Sequence, residues 1–283
     1  MKHRYSFILL LLAMAMLAIP AFAQDGLADV PRNRTLILDC IESGTCAGQI
    51  TDYNSFNPYI PGSATRTGYQ FMLEPLYFYN AYGLDTSESI IPWIAESHEY
   101  NDDFTEVTIH IRDGVKWSDG EPWTANDLVF TINMLKDNAP ELVFSVDMDN
   151  WVKEAVITLN APNPRFVFSF FTHNFDNGIP IVPQHIWEGE DPTTFTFFSD
   201  DYSLPVYTGP YSMVLSSPQQ RIWDLRTDWW ASEIGFQDLP EVERLIFLPW
   251  FDDIKRTQSI ITGEVDTTGD LRPANIQAVL NAT

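Results

Sequence analysis

Two adjacent pairs of carboxylates are the residues of this chain best suited to acid–base chemistry. Asp102 and Asp103 form one pair, and Asp252 and Asp253 form the other. A glycosidase needs two carboxylates about 5 to 9.5 Å apart, facing each other across the bond that is cleaved. Because adjacent residues rarely face one substrate, and charged runs are typical of solvated turns, the pairs favour a surface role. A secreted glycosidase that uses acidic and aromatic residues is the alternative function.

The other catalytic and metal-binding patterns in the sequence are incomplete. His98 and Glu99 begin the zinc-protease pattern HExxH, but Asp102 stands where the second histidine is needed. No GxSxG elbow presents a nucleophilic serine, and no glycine-rich loop with Lys-Ser or Lys-Thr could hold a phosphate. We therefore expect no catalytic residue, no metal site and no cofactor.

Aromatic residues offer binding chemistry instead of catalysis. The chain has 9 Trp, 11 Tyr and 19 Phe residues. Flat rings can stack on sugar rings or peptide side chains, and the same rings can fill a core. Composition alone leaves both interpretations open.

The N-terminal segment predicts export. Lys2 and Arg4 precede an apolar stretch at residues 7–19, and residues 21–23 read Ala-Phe-Ala, so residues 1–23 resemble a cleaved signal peptide. No cysteine follows the cleavage site to carry a lipid anchor, and a periplasmic destination is expected. Without Lys2 and Arg4 the chain keeps 14 basic and 39 acidic residues, a net charge of −25. This charge disfavours nucleic acid and anionic membrane surfaces as partners.

Cys40 and Cys46 are the cysteines of the chain. A disulfide can persist in an exported protein, but sequence does not show whether two cysteines have suitable geometry. A Cys40–Cys46 bond is therefore possible and stays open at this point.

Residues 104–135 contain the most distinctive pattern of elements. Val107, Ile109 and Ile111 alternate with polar residues, which predicts a half-buried strand. Two turns follow, because residues 113–114 and 118–120 are rich in Asp and Gly. Thr124 and Asp127 then resemble a capping box, and apolar residues recur along one face to residue 135, which predicts a helix.

Residues 111–132, IRDGVKWSDGEPWTANDLVFTI, resemble the signature of a known family. These are the bacterial extracellular solute-binding proteins of family five, the oligopeptide, dipeptide and nickel type that feed ABC importers. Other family-like motifs occur in the same order along the chain. They are NSFNPY at 54–59, EPL at 74–76, PWIAES at 92–97, IVPQHI at 181–186, PVYTGPY at 205–211, RTDWW at 226–230 and GEVD at 263–266.

The resemblance implies an α/β fold, the first lobe of a periplasmic binding protein (type II, cluster C) with a mixed sheet and an inserted α+β subdomain. We expect the main sheet lobe at residues 24–60 and 190–283 and the inserted subdomain at residues 61–189. Family members are much longer, so the resemblance implies a fragment that lacks the second lobe. With half of the cleft walls missing, weak or absent solute binding is expected.

The resemblance further implies a non-enzymatic receptor that captures an oligopeptide or an oligosaccharide and presents it to the permease subunits of an ABC importer in the inner membrane. It implies a monomer without a cofactor and without nucleic acid. Tyrosines and tryptophans near the family's cleft motifs, with two polar residues, are the expected ligand-binding residues. They are Asn57, Tyr59, Glu74, Tyr77, Trp229 and Trp250.

Overall fold

The computed structural model describes residues 27–40, 46–60, 68–83, 89–138, 144–145, 154–173, 178–201, 203–269 and 271–282. The chain divides into units 1–30 and 31–283. Residues 27–30 of the first unit are in neither helix nor strand, and the expected signal peptide lies outside the described residues. Everything below concerns the second unit.

Eleven strands and seven helices lie in the described part of the second unit, besides a 3₁₀ turn at Arg32–Arg34. The strands are β1 (Thr35–Asp39), β2 (Tyr77–Tyr79), β3 (Ile90–Pro92), β4 (Ala95–Tyr100), β5 (Glu106–Ile111), β6 (Phe144–Ser145), β7 (Glu154–Leu159), β8 (Thr172–His173), β9 (Tyr211–Ser216), β10 (Arg221–Leu225) and β11 (Arg244–Leu248). The helices are α1 (Tyr69–Met72), α2 (Ala125–Asn138), α3 (Phe166–Phe170), α4 (Gln184–Trp187), α5 (Trp230–Glu233), α6 (Asp253–Thr262) and α7 (Pro273–Ala282).

A mixed four-stranded sheet pairs a strand from the start of the unit with three strands from residues 211–248. Its order is β1-β11-β10-β9, with β1 parallel to β11 and the other neighbours antiparallel. Since β1 comes from the start of the unit and its partner from residues near 244, the intervening chain must leave this sheet and return. The mixed α/β architecture expected from the sequence is confirmed.

A second four-stranded sheet, in the order β4-β5-β7-β6, contains the distinctive stretch. Val107 and Ile109 are fully buried and Ile111 nearly so, which confirms the predicted face of β5. The predicted capping box at the start of α2 is also present, because Thr124 N–H donates to Asp127 Oδ2 at 2.8 Å. Residues 151–164 leave room for little more than one strand, and they contain β7, which pairs with the short strand β6 upstream of them.

The EPL segment differs from its expected form. The sequence suggested a helix and turn over residues 70–79, but α1 ends at Met72 and Tyr77–Tyr79 is strand β2, which pairs with β3 and β8. Gly68 explains the tight start of α1. Its φ is 123°, and a Cβ there would lie 2.6 Å from the Trp223 indole nitrogen, so only glycine fits without rearrangement.

The C-terminal elements form as the residues predict, since the pattern favours a strand over residues 242–248, a helix over residues 254–261 and a left-handed cap at Gly263. Asp252 caps α6 by accepting from Ile254 N–H and Lys255 N–H, and Gly263 ends the helix in the left-handed conformation with φ 72°. Helix α7 follows and packs against α6. Among the described residues, no helix is both long and apolar enough to cross a membrane.

Candidate functional site

The EPL segment is fixed against the loop that precedes β9. Met72 O accepts from Thr208 N–H at 2.9 Å and from Gly209 N–H at 3.2 Å. Glu74 N–H donates to Thr208 Oγ1 at 2.9 Å. These bonds connect two segments separated by more than 130 residues and direct the Glu74 side chain into the core.

The Glu74 carboxylate accepts hydrogen bonds from three indole N–H groups. Trp93 donates to Oε1 at 2.9 Å, while Trp230 and Trp229 donate to Oε2 at 2.7 and 3.4 Å. We call these four residues the Glu74 cluster. The two predicted candidates Glu74 and Trp229 are thus brought into contact, and Trp93 and Trp230 join them.

Burial governs the protonation of Glu74. Its side chain is 5 % exposed, and desolvation raises the pKa to about 7, although the hydrogen bonds from the indoles and from Thr208 favour the ionised form. Within the described residues, Glu74 forms no ion pair. The cluster therefore holds a carboxyl group that can change its protonation state near neutral pH.

Further rings and one guanidinium surround the Glu74 cluster. Phe236 stacks on Trp230 at 5.7 Å between ring centroids and meets Trp93 edge-on at 5.3 Å. The Arg112 guanidinium lies 3.8 Å from the centroid of the Phe236 ring, and Arg112 Nε donates to Trp93 O at 2.8 Å. Packing on several sides fixes the orientation of the indoles.

Asn57 and Tyr59 lie in a second group, on the loop with the NSFNPY motif. The Asn57 amide is fully buried and donates to Pro192 O and Phe195 O at 2.9 Å each, while its Oδ1 accepts from Tyr59 N–H at 2.8 Å. Tyr59 is half-buried, donates its hydroxyl proton to Pro180 O and meets the Trp187 ring edge-on. Burial raises the pKa of the Tyr59 phenol above its ordinary value. Asn57 therefore braces the loop that presents Tyr59.

A buried ion pair anchors the same loop to the mixed sheet. Arg221 Nη2 on β10 lies 3.1 Å from Asp52 Oδ1, and the Tyr69 hydroxyl donates to Asp52 Oδ2 at 2.6 Å. The Arg221 guanidinium also lies 4.0 Å from the centroid of the Phe56 ring, whose backbone has φ 52°. We call Asp52, Tyr69 and Arg221 the Asp52 cluster. It connects the loop, α1 and β10.

Tyr77 and Trp250 occupy two further places. Tyr77 is fully buried and donates its hydroxyl proton to Ser97 O at 2.9 Å. Trp250 is half-buried and packs in a small separate cluster with Cys40, Cys46 and Ile50. Cys40 and Cys46 form a disulfide, with 6.4 Å between their Cα atoms. The structure therefore does not gather the six candidates into one contact group.

Several residues of these groups were not among the candidates predicted from the sequence. Trp93 and Trp230 lie within recognised motifs, beside residues that were selected, so the motifs contained a usable signal. Arg221 and Asp52 have no local pattern that distinguishes them from surface charges. Among the described residues, no group of three or more His, Cys, Asp or Glu side chains could hold a metal ion.

A family model matches most of this chain. The model describes "Bacterial extracellular solute-binding proteins, family 5 Middle", and it matches residues 89–283. The match includes β3 to β11 and two tryptophans of the Glu74 cluster that lie in or next to α5.

A curated relative shares about a quarter of its aligned residues with this chain. The chain is 25% identical over 225 residues to the "Probable peptide-binding protein YejA" of Agrobacterium fabrum, a match that covers 76% of this chain and 35% of the relative. The chain thus spans about a third of the length of the relative it matches.

Solved structures share the fold. The mannohexaose-bound periplasmic oligopeptide-binding protein of Thermotoga maritima aligns with a TM-score of 0.65 and 23% identity, over 87% of this chain and 43% of that chain. The oligopeptide-binding protein AppA of Bacillus subtilis, in complex with a nonapeptide, aligns with a TM-score of 0.65 and 17% identity, over 87% and 45%. The periplasmic binding protein-like fold is thereby shown.

Proposed function

The chain belongs to the bacterial extracellular solute-binding proteins of family 5, and we propose that it is the substrate-binding component of an ABC importer. In this role it captures a solute in the periplasm and delivers it to permease subunits in the inner membrane. The observation that carries the proposal is the family match over residues 89–283. In this interpretation the chain contributes one wall of a cleft that closes on the solute by domain movement.

We propose an oligopeptide or an oligosaccharide as the solute. Peptide binding is supported by the name of the Agrobacterium relative and by the nonapeptide in the Bacillus structure. Oligosaccharide binding is supported by the mannohexaose in the Thermotoga structure and by the 9 tryptophans of this chain. Exposed rings suit both ligands, because sugars and peptide side chains both stack on aromatic faces.

The six candidate residues divide by accessibility into contact and framework residues. Tyr59 and Trp250 are half-buried, so their rings can touch a ligand. Asn57, Glu74, Tyr77 and Trp229 are at most 5 % exposed, and we propose that they hold the surrounding segments in place. This division makes Tyr59 and Trp250 the first residues to test.

We propose one main sheet lobe at residues 24–60 and 190–283, with an inserted subdomain at residues 61–189. Its support is the distribution of strands. All strands of the β1-β11-β10-β9 sheet lie in the first set of residues, and all strands of the β4-β5-β7-β6 sheet lie in the second.

Binding can be measured on the purified chain by NMR of ¹⁵N-labelled indole groups, which detects weak complexes. Separate titrations to millimolar concentration would use a pool of short peptides and a pool of mannose and glucose oligosaccharides. We expect at most weak saturable shifts, with one of the two pools, because the chain spans about a third of its relative's length. Tight binding of a member of either pool would contradict this expectation.

Trp250→Ala tests the contact surface, with Tyr82→Ala as its matched control. Tyr82 is 93 % exposed and lies on the turn after β2. We expect Trp250→Ala to weaken the saturable binding and Tyr82→Ala to leave it unchanged. Equal effects of the two variants would argue against a role for Trp250.

We also propose that the receptor is not an enzyme. Asp252 caps a helix, and Asp253 lies 2.7 Å from Arg272 Nε, so this acid pair has structural partners. Asp102 and Asp103 lie on an exposed turn. Incubation with model glycosides should release no product, and turnover that is lost in an Asp102→Asn/Asp103→Asn variant would favour the glycosidase alternative.

A further inference from the structure

We propose that the Glu74 cluster is a proton-sensitive clamp, in which the uptake of one proton by Glu74 weakens its hydrogen bonds to the three indole N–H groups. The clamp joins three segments: that of Glu74, that of Trp93, and that of the adjacent residues Trp229 and Trp230. Trp93 lies between β3 and β4, Trp229 precedes α5, and Trp230 is its first residue. A change at Glu74 therefore reaches all three segments.

The charge of the carboxylate makes the cluster sensitive to a proton. An ionised carboxylate accepts several hydrogen bonds, so it satisfies all three indoles. A neutral carboxyl group still accepts hydrogen bonds, but these are weaker than the charge-assisted bonds to the ionised form. Protonation therefore weakens the three indole bonds, and the longest of them is affected most.

The indole of Trp229 is the one expected to respond most. Its bond to Glu74 Oε2 measures 3.4 Å, while Trp230 binds the same oxygen at 2.7 Å and Trp93 binds the other oxygen at 2.9 Å. Trp230 is further held by its stacking on Phe236. Protonation should therefore leave Trp230 in place and change the surroundings of Trp229 most.

Within the described part of the chain, no cation pairs directly with the Glu74 carboxylate. Arg112 contacts the Phe236 ring and the Trp93 carbonyl, and it interacts electrostatically with Glu96. The neighbouring ionic groups on the segments of Trp229 and α5 are paired with each other, as Arg226 with Asp228 at 2.8 Å and Lys116 with Glu233 at 2.6 Å. Among the described residues, the donors to the ionised carboxylate are neutral indoles, and burial raises its pKa to about 7.

NMR of ¹⁵N-indole groups in the purified, ligand-free chain tests the clamp from about pH 5.5 to about pH 8.5, a range that brackets the expected transition. Trp→Phe variants assign the resonances. We expect the resonances of Trp93, Trp229 and Trp230 to shift together with a common midpoint near neutral pH, with the largest change at Trp229. The Glu74→Gln variant should abolish this shared transition. Three resonances that do not titrate, or that titrate equally in Glu74→Gln, would overturn the proposal.

A second pair of variants keeps the test decisive even if Glu74→Gln fails to fold. Trp229→Phe removes one donor to the ionised form, so the midpoint at Trp93 and Trp230 should rise by about half a pH unit. Trp187→Phe is the matched control, since Trp187 is fully buried and its indole nitrogen has no partner among the described residues. The control should leave the midpoint unchanged. A midpoint that moves equally in both variants, or in neither, would refute the clamp. Because no ligand is added, this outcome is separate from the binding tests.

Discussion

The Asp52 and Glu74 clusters bury carboxylates in two different ways within one short stretch of structure. Asp52 is 7 % exposed and Glu74 is 5 % exposed, and α1 lies between them in the sequence. Asp52 has a fully buried cation, Arg221, and a phenol as partners. Glu74 has three neutral indoles. The comparison shows two ways in which a buried carboxylate can be destabilised. The Asp52 cluster depends on its counter-ion, whereas the Glu74 cluster depends on pH.

The largest expected effect comes from removing the cation of the Asp52 cluster. Arg221→Met keeps a long apolar side chain but leaves Asp52 buried without its counter-ion, which should lower the free energy of unfolding by about 3–5 kcal/mol. Urea denaturation followed by tryptophan fluorescence measures the change. Asp52→Asn/Arg221→Met should recover part of the loss, because it removes both charges. A loss below about 1 kcal/mol in the single variant would show that the pair is not the main anchor.

The next effect is a pH dependence specific to Glu74. The pKa of Glu74 rises from its ordinary value of 4.5 to about 7 in the fold, so between these values the folded protein holds a proton that the unfolded chain has lost. The resulting stabilisation is full below about pH 4.5 and is lost as the pH rises through about 7. The unfolding free energy of the wild type, relative to Glu74→Gln, should fall by about 2 kcal/mol between about pH 5 and pH 8.

Urea denaturation at several pH values measures this difference, and the comparison with Glu74→Gln cancels the titration of other groups. Glu241→Gln is the control, since Glu241 is exposed. A pH-independent difference between wild type and Glu74→Gln would remove the contrast between the two clusters.

Removing the phenol of the Asp52 cluster should have a smaller effect than removing its cation. Tyr69→Phe deletes the hydroxyl that donates to Asp52 Oδ2 at 2.6 Å, while the cation of Arg221 remains. We expect a loss of about 1.5–3 kcal/mol in unfolding free energy, the range for a hydrogen bond to a charged group. Thermal unfolding followed by circular dichroism measures this loss. A loss as large as that of Arg221→Met would mean that the phenol and the cation contribute equally.

The smallest effect is expected for an exposed pair outside both clusters. Lys255 Nζ lies 2.7 Å from Glu264 Oε2, but both side chains are more than 40 % exposed. Lys255→Met should change the unfolding free energy by less than about 1 kcal/mol, because water solvates both charges. Denaturation in low and high salt measures it. A loss comparable to that of Arg221→Met would show that burial is not the factor that separates these ion pairs.

Local patterns predicted much of the fold. The alternation in β5, the capping box of α2 and the left-handed glycine after α6 all depend on residues within a few positions of each other. Such patterns act through backbone conformation and the nearest turn, so they can be recognised without knowing the rest of the chain. The EPL segment was predicted less well, because β2 becomes a strand through pairing with β3 and β8.

The sequence predicted some residues of the candidate site but not how they are arranged. Glu74 and Trp229 were both selected and lie in contact, but the sequence does not indicate that Trp93 and Trp230 share the same carboxylate. It also gives no sign that Arg221 is fully buried. A charged side chain in a sequence is most often a surface residue, and its burial depends on a partner that local patterns do not identify.

The sequence by itself determined the family, the types of most elements and which faces of β5 and α2 turn inward, because these properties follow from neighbouring residues. Tertiary structure alone decided the two carboxylate clusters. Glu74 is separated from Trp229 and Trp230 by 155 and 156 residues in the sequence. Asp52 is separated from Arg221 by 169 residues. Such pairs meet only after the sheets have brought distant segments together, and a buried carboxylate then accepts whichever donors the packing supplies.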